Sequence, residues 1–451
     1  MTNKIKGIAI AITAIFFLSL FSCKKDSTSN AEGVVPSSTT LTGKITQDTR
    51  LTADKKWMLN GYVYVNAGAK LIIEPGTVIL GQPKSVLIIM RGAKIIAEGN
   101  ASKPIVFTSS KEPGQRKPGD WGGLVICGKA PNNQSENAGI DGGIIADALH
   151  GGNDPHDNSG ILKYVRVEYA GFPIMPDKEV NSFTFASVGD GTTVEYCQAS
   201  YAGDDSFEWF GGTVNCKHLV AYHGWDDDFD TDWGFSGSVQ YCFSVRHPQY
   251  ADKSGSNGFE SDNNEPGDNN SPVTSAVFAN VTLLGPKKEA NTAIDANFKN
   301  CAQLRRNTKL SIYNSILAAF PDGLYIDDAK PGAVANAKKD ELQIRNVIIT
   351  GFSGKAVKTT DAAFDVNAWF NTTNYGNKVV ADMSSTGLNM GMFDLTGNLQ
   401  VLPSANSILL KSAKWDNAPK GSFDKVAYIG AFGTEDWTKG WVSWTPWSNI
   451  Y

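Results

Sequence analysis

The feature that most constrains this chain is a loose internal repeat. Short apolar runs recur at offsets of roughly 20–35 residues, the range of solenoids and β-helices. Tyr164-Val165-Arg166-Val167-Glu168-Tyr169-Ala170-Gly171 returns as Tyr196-Cys197-Gln198-Ala199-Ser200-Tyr201-Ala202-Gly203. Looser copies start at His218, Tyr241, Val277, Leu310 and Leu342. From Tyr169 the spacing runs through Tyr201 and Tyr222 to Arg246, which sets His223 level with the turn residue Ala202. Gly, Asn and Asp punctuate the runs, so each unit reads as two or three short strands joined by turns. One unit cannot bury its own apolar face, whereas a stack of units buries a continuous core. The stretch 62–97 has the same style, with Gly68, Gly76 and Gly92 between strand-like runs. The expected fold is therefore all-β: a right-handed parallel β-helix with a small C-terminal cap. A propeller, which needs evener blades of four strands, fits less well. The best helix signal is 361–370, with Asp361 as its cap and Phe364, Trp369 and Phe370 on one side.

The chain starts with a targeting signal. Lys4 and Lys6 precede an apolar run over 8–21, too short for a stable span. It closes on Leu20-Phe21-Ser22-Cys23, which resembles the lipobox of bacterial lipoproteins. That resemblance implies lipidation at Cys23 and loss of residues 1–22. Losing Lys4 and Lys6 would move the net charge from −5 to −7. The expected organisation is signal peptide 1–22, lipidated tether 23–44, β-helix 45–355, then last coils and cap 356–451. The cysteines Cys127, Cys197, Cys216, Cys242 and Cys301 lack Cys-x-x-Cys spacing and sit in strand-like runs, so buried free thiols are expected.

Composition narrows the function. A hydrophobic fraction of 41% excludes a disordered chain, and one apolar run excludes a polytopic membrane protein. A sequence pI near 5.6 argues against nucleic acid as a partner.

The chemical feature is acid concentrated in three consecutive coils. They carry Asp204, Asp205 and Glu208, then Asp226, Asp227, Asp228, Asp230 and Asp232, then Glu260 and Asp262. Asp205 and Asp227 lie 22 residues apart, as do Phe207 and Phe229. Stacking would place carboxylates of adjacent coils about 4.8 Å apart. Like charges that close repel unless a cation intervenes, and clustered carboxylates are good Ca²⁺ ligands. All these acids except Glu208 are candidate metal ligands, with Ca²⁺ the expected ion. Trp209, Trp225 and Trp233 interleave the acids as candidate sugar-stacking faces, joined by His223, Arg305 and Arg306 as ligand contacts. Asp154, Asp157, His150 and His156 are weaker candidates. For each single Asp, capping of backbone N–H groups is an equally good account.

Several motifs together resemble a family of β-helix lipoproteins common in Bacteroidota. They occupy 103–109, 118–123, 162–171, 203–212, 255–262 and 430–438. The resemblance implies a pectate-lyase-like β-helix on an outer-membrane lipid anchor, with the cell surface favoured over the periplasmic face. Lys24-Lys25-Asp26 resembles the export signal of such lipoproteins. The leading expectation is binding of a glycan or other extracellular ligand, with an outer-membrane transporter as a further partner. The alternatives are a lyase or glycoside hydrolase, with Glu208 and Glu260 as the carboxyl pair and Arg305 as a lyase base, and a structural spacer or adhesin.

Overall fold

Three parallel ladders account for most of the computed structural model, which describes residues 1–2, 33–140, 145, 147–175, 178–416 and 421–451. Contacts divide the chain into Met1–Glu32 and Gly33–Tyr451. The apolar run, Cys23 and residues 24–32 lie outside the described residues. Within Gly33–Tyr451, 26 strands form one continuous sheet, wound as a parallel β-helix. The sheet starts earlier than the expected boundary at 45. Thr40–Ile45 is already a strand, and Val34 bridges Thr49.

The long strands Gly160–Glu168, Thr193–Ser200, Cys216–Tyr222 and Ser238–Val245 each serve two ladders. They bend at Tyr164, Tyr196, His218 and Tyr241, whose φ values are 53°, 55°, 59° and 61°. Left-handed backbone is strained for such bulky residues. Ring stacking offsets it, with centroids 4.4, 4.2 and 4.7 Å apart along the column. The register pairs Val165 with Cys197, as the repeat predicts, but also Ser200 with Tyr222. His223 is therefore level with Tyr201, not with Ala202. The copy at 218 lacks the second Tyr that would have fixed its alignment.

Strand alternation fills the interior. Phe183, Phe207, Phe229 and Phe259 stack at 4.9, 5.9 and 5.3 Å on consecutive rungs, all fully buried. The five described cysteines are buried and free.

The C-terminal region does more than close the last coil. The α-helix Val366–Phe370 does close it, with Phe364, Trp369 and Phe370 in the core. Its cap is Asp365, whose Oδ1 accepts from Ala368 N at 2.9 Å; Asp361 instead caps Ala363 in a preceding turn. The following segment runs back along the outside of the coils. Asn346, Asn314, Asn280 and Gln198 donate their amides to the carbonyls of Ser412, Lys414, Tyr428 and Ser443. Trp441 then covers the edges of the Tyr164 and Tyr196 rings.

Candidate functional site

One ladder builds the site. Its rungs include Phe183–Val188, Phe207–Gly212, Phe229–Asp232, Phe259–Ser261 and Asn300–Arg305. Register aligns Thr184, Glu208, Asp230, Glu260 and Gln303 in one outward row. The residues on either side of each row member are buried and point inward, because side chains alternate; they are aromatic on both sides of Thr184 and Glu208, and Phe229 and Phe259 continue the column before Asp230 and Glu260. The turns ahead of the rungs add Asp204, Asp205, Asp226 and Asp227. Two of these carboxylates also bind the next coil. Asp205 Oδ1 accepts from Asp227 N at 2.8 Å, and Asp227 Oδ1 accepts from Asn257 N at 2.5 Å. The capping role expected of turn aspartates is thus real, and it fixes these groups in place. Behind Glu208 the chain turns away at Gly211 and Gly212, with φ of 69° and 90°. A Cβ at Gly212 would lie 2.5 Å from Val188 O, so only glycine fits.

The four turn aspartates with Glu208, Asp230 and Glu260 of the row line a cleft of about 520 Å³, together with Glu179, Asn181, Asp252, Lys253, Ser254 and Arg305. Three carboxylate triads have ligand oxygens within 4.8 Å of one another. They are Asp204–Asp205–Asp226, Asp205–Glu208–Asp230 and Asp227–Asp230–Glu260. Asp226 also accepts from Ser254 Oγ at 2.7 Å. Asp230 Oδ1 is sealed from solvent and has no hydrogen-bond partner among the described residues.

Burial, then mutual repulsion, holds Asp205, Asp227 and Asp230 well above the ordinary carboxylate range. Burial pushes Asp226 to about 6 and Glu260 to about 7, although Arg305 pulls Glu260 down. A half-buried set of like charges with an unpartnered oxygen is a donor set short of positive charge. It fits a hard cation such as Ca²⁺.

At one flank Arg305 bridges Glu260 and Asp262, with Nε 2.7 Å from Asp262 Oδ1. Arg306 Nη1 reaches Asp262 Oδ2 at 2.6 Å. Burial works against the Arg305 cation, but Glu260 and Asp262 outweigh it and raise its pKa. These ion pairs favour the charged guanidinium, which weighs against the expected role of Arg305 as a lyase base. Asp262 and Arg306 are an ion-paired flank rather than part of the triads. Burial raises the Asp232 pKa, and Asp232 also feels the charges of that flank, Asp262 raising its pKa and Arg305 and Arg306 lowering it; its Oδ1 accepts from Trp233 N.

Several predicted ligands lie elsewhere. Trp209 is fully buried, stacked on Phe185 and Phe235 at 5.7 and 5.3 Å. Alternation from the outward Glu208 already implied this. His223 is buried against Tyr222, bonded through Nδ1 to Tyr201 Oη, and burial drives its pKa well below the ordinary value. It is neither a ligand contact nor a titrating group near neutrality. Trp233 packs on His150 and Phe210, away from the cleft. Asp228 turns inside to meet Arg246 at 2.9 Å. Trp225, beside Asp226, stays 36% exposed. Asp157 accepts from Ser159 Oγ, His150 meets Ser187 and His156 meets Asp190; none of them lines the cleft, and neither does Asp154.

Sequence reasoning missed Glu179, Asn181 and Asp252–Ser254. Asn181 was findable, since extending the repeat one coil upstream sets it level with Asp205. Residues 252–254 come from a connection outside the repeat and carry no such signal.

Residues 43–396 match the profile of a family described as a pectate-lyase like beta helix domain. A solved structure, "Crystal structure of pectate lyase Pel9A", is similar at 14% identity, covering 82% of this chain and 89% of that chain, with a TM-score of 0.42. No curated protein gives a significant match.

Proposed function

The chain belongs to the family of pectate-lyase-like β-helix domains, and from that premise we propose a lipid-anchored protein that binds an extracellular glycan through a Ca²⁺-loaded acidic cleft. The observation that carries this reading is the convergence of three carboxylate triads on one cleft. Ca²⁺ takes about six to eight oxygen ligands in flexible geometry. Asp205, Glu208, Asp227, Asp230 and Glu260 would supply part of that shell, and sugar hydroxyl or carboxylate oxygens the rest. Trp225, exposed beside Asp226, would offer the sugar an apolar edge.

Calorimetry with Ca²⁺ tests the metal. Asp205→Ala and Asp227→Ala are each expected to lower the affinity by at least about tenfold, near 1.4 kcal/mol. Trp209→Phe, a change in the core, is expected to leave it unaltered. Affinity unchanged from the wild type in both Asp variants would sink the metal reading. A glycan panel with and without Ca²⁺ then tests ligand binding.

A lyase using the same cleft is favoured by one feature, the amine of Lys253 in its lining. Unsaturated ends released from a polysaccharide, and lost in Lys253→Ala, would establish that reading instead. Calcium binding without any glycan partner would leave a structural spacer or adhesin.

The anchor rests on Leu20-Phe21-Ser22-Cys23. Lipid on Cys23 would hold the protein at the outer membrane, facing the cell surface, beside a transporter. Cys23→Ala is expected to release it from the membrane fraction. Protease added to intact cells should degrade the wild type; protection would place it on the periplasmic side.

A further inference from the structure

A second cleft, opposite in charge to the first, lies at the C-terminal end of the coils. It has a volume of about 490 Å³, within the range of small-ligand sites. Lys378, Lys411 and Lys414 line it, and no Asp or Glu does. Among the described residues none of these three lysines makes an ion pair, whereas Arg345 and Lys217 are paired with Asp340 and Asp424. Their backbone is fixed. Lys414 N donates to Asn314 Oδ1 at 2.8 Å, and Ser412 O accepts from Asn346 at 2.7 Å. Lys378 opens the strand Lys378–Val380, which pairs with Ile348–Thr350. Lys414 Nζ lies over Gly376, 3.7 Å from where a Cβ would sit.

We propose that this basic cleft binds a segment of an anionic polysaccharide. Three compact ammonium groups on separate stems suit charges spaced along a chain. A lone phosphate is better held by an Arg fork. The other walls, among them Thr373, Ser412 and Ile348, offer hydroxyl, carbonyl and small apolar contacts suited to a hydroxylated ring. No aromatic side chain lines the cleft, so it lacks the stacking platform that single-stranded nucleic acid requires. The acidic cleft takes no part, so binding here needs no Ca²⁺.

The test is a titration of the full chain with heparin oligosaccharides and polygalacturonate in EDTA, with neutral dextran alongside. Both polyanions are expected to bind, and to bind more weakly as salt is raised. Lys378→Ala, Lys411→Ala and Lys414→Ala combined should lower the affinity by about tenfold or more, with an unchanged melting temperature. The matching triple Lys→Arg variant should retain it. Asp205→Ala should bind both polyanions as the wild type does, which separates this cleft from the acidic one. Unaltered binding by the triple Ala variant, equal binding of dextran, full displacement by millimolar inorganic phosphate, or preference for oligothymidine would each overturn the proposal.

Discussion

Arg246→Met is expected to destabilise the protein by about 3–5 kcal/mol in urea unfolding at pH 7. The side chains of Arg246 and Asp228 are both fully buried, 2.9 Å apart. Arg246 Nη2 also donates to Trp225 O at 2.9 Å, so one guanidinium holds both ends of the turn 225–228. Asp226 and Asp227 lie between those ends and line the cleft. Removing the cation leaves the buried Asp228 without a counter-charge, with Ser244 as its remaining side-chain partner. Burial already raises the Asp228 pKa, and Arg246 opposes the rise. Without Arg246 the folded-state pKa climbs further. The unfolded chain then releases a proton that the folded state keeps, so stability falls as pH rises from the ordinary Asp value. The variant should accordingly lose less at pH 5 than at pH 7. Adding Asp228→Leu should recover most of the loss, because the unpaired charge is then gone. A single variant as stable as the wild type would refute the clamp. The same variant should bind Ca²⁺ more weakly, whereas the double variant keeps a cleft that is folded but less well positioned.

The second large effect is a reversal of the pH dependence by Ca²⁺. In EDTA, stability is expected to fall as pH rises from about 4 to about 7. The folded state holds protons on Asp226 and Glu260 up to about 6 and 7, and on Asp205, Asp227 and Asp230 above the ordinary range. The unfolded chain loses these protons near pH 4, so the contribution of this cluster is greatest in acid and is lost through that window. Saturating Ca²⁺ should restore it at pH 7, by about 2.7 kcal/mol when free Ca²⁺ is 100 times the Kd. Binding should also release protons, seen as a calorimetric enthalpy that changes with the buffer. Asp227→Asn combined with Asp230→Asn should have crossed effects. Asn at 227 keeps the oxygen that accepts from Asn257 N, so the turn survives while two like charges disappear. The pair should raise the melting temperature in EDTA at pH 7 and abolish the gain from Ca²⁺. A flat pH profile in EDTA, or an equal Ca²⁺ gain in wild type and variant, would show that the cluster is only a set of turn caps.

The family profile covers the coils that the repeat predicted, and the repeat was legible because it is local. A short run of alternating residues must choose an inside and an outside, and Gly, Asn and Asp mark where it turns. The concentration of acid on three neighbouring coils was legible for the same reason: equal offsets become equal heights on the solenoid. The sequence misled where one residue decides the side. Trp209 and Glu208 are adjacent, so one of them had to be buried, and Trp209 is in the core. Asp228 follows Asp227 directly, yet it turns inward to Arg246 while Asp227 lines the cleft.

By itself, then, the sequence determined the coil, its period and the height at which charge accumulates, since these follow from neighbours along the chain. Only the tertiary structure decided which acids face one another, that Arg305 is locked between Glu260 and Asp262, and that residues after Val380 fold back over the outside of the coils. Those outcomes depend on contacts between residues up to hundreds of positions apart, such as Gln198 with Ser443. The lysine cleft belongs with them. Lys378 meets Lys411 and Lys414 because the returning segment is held by amides of earlier coils, and spacing along the chain carries no trace of that meeting.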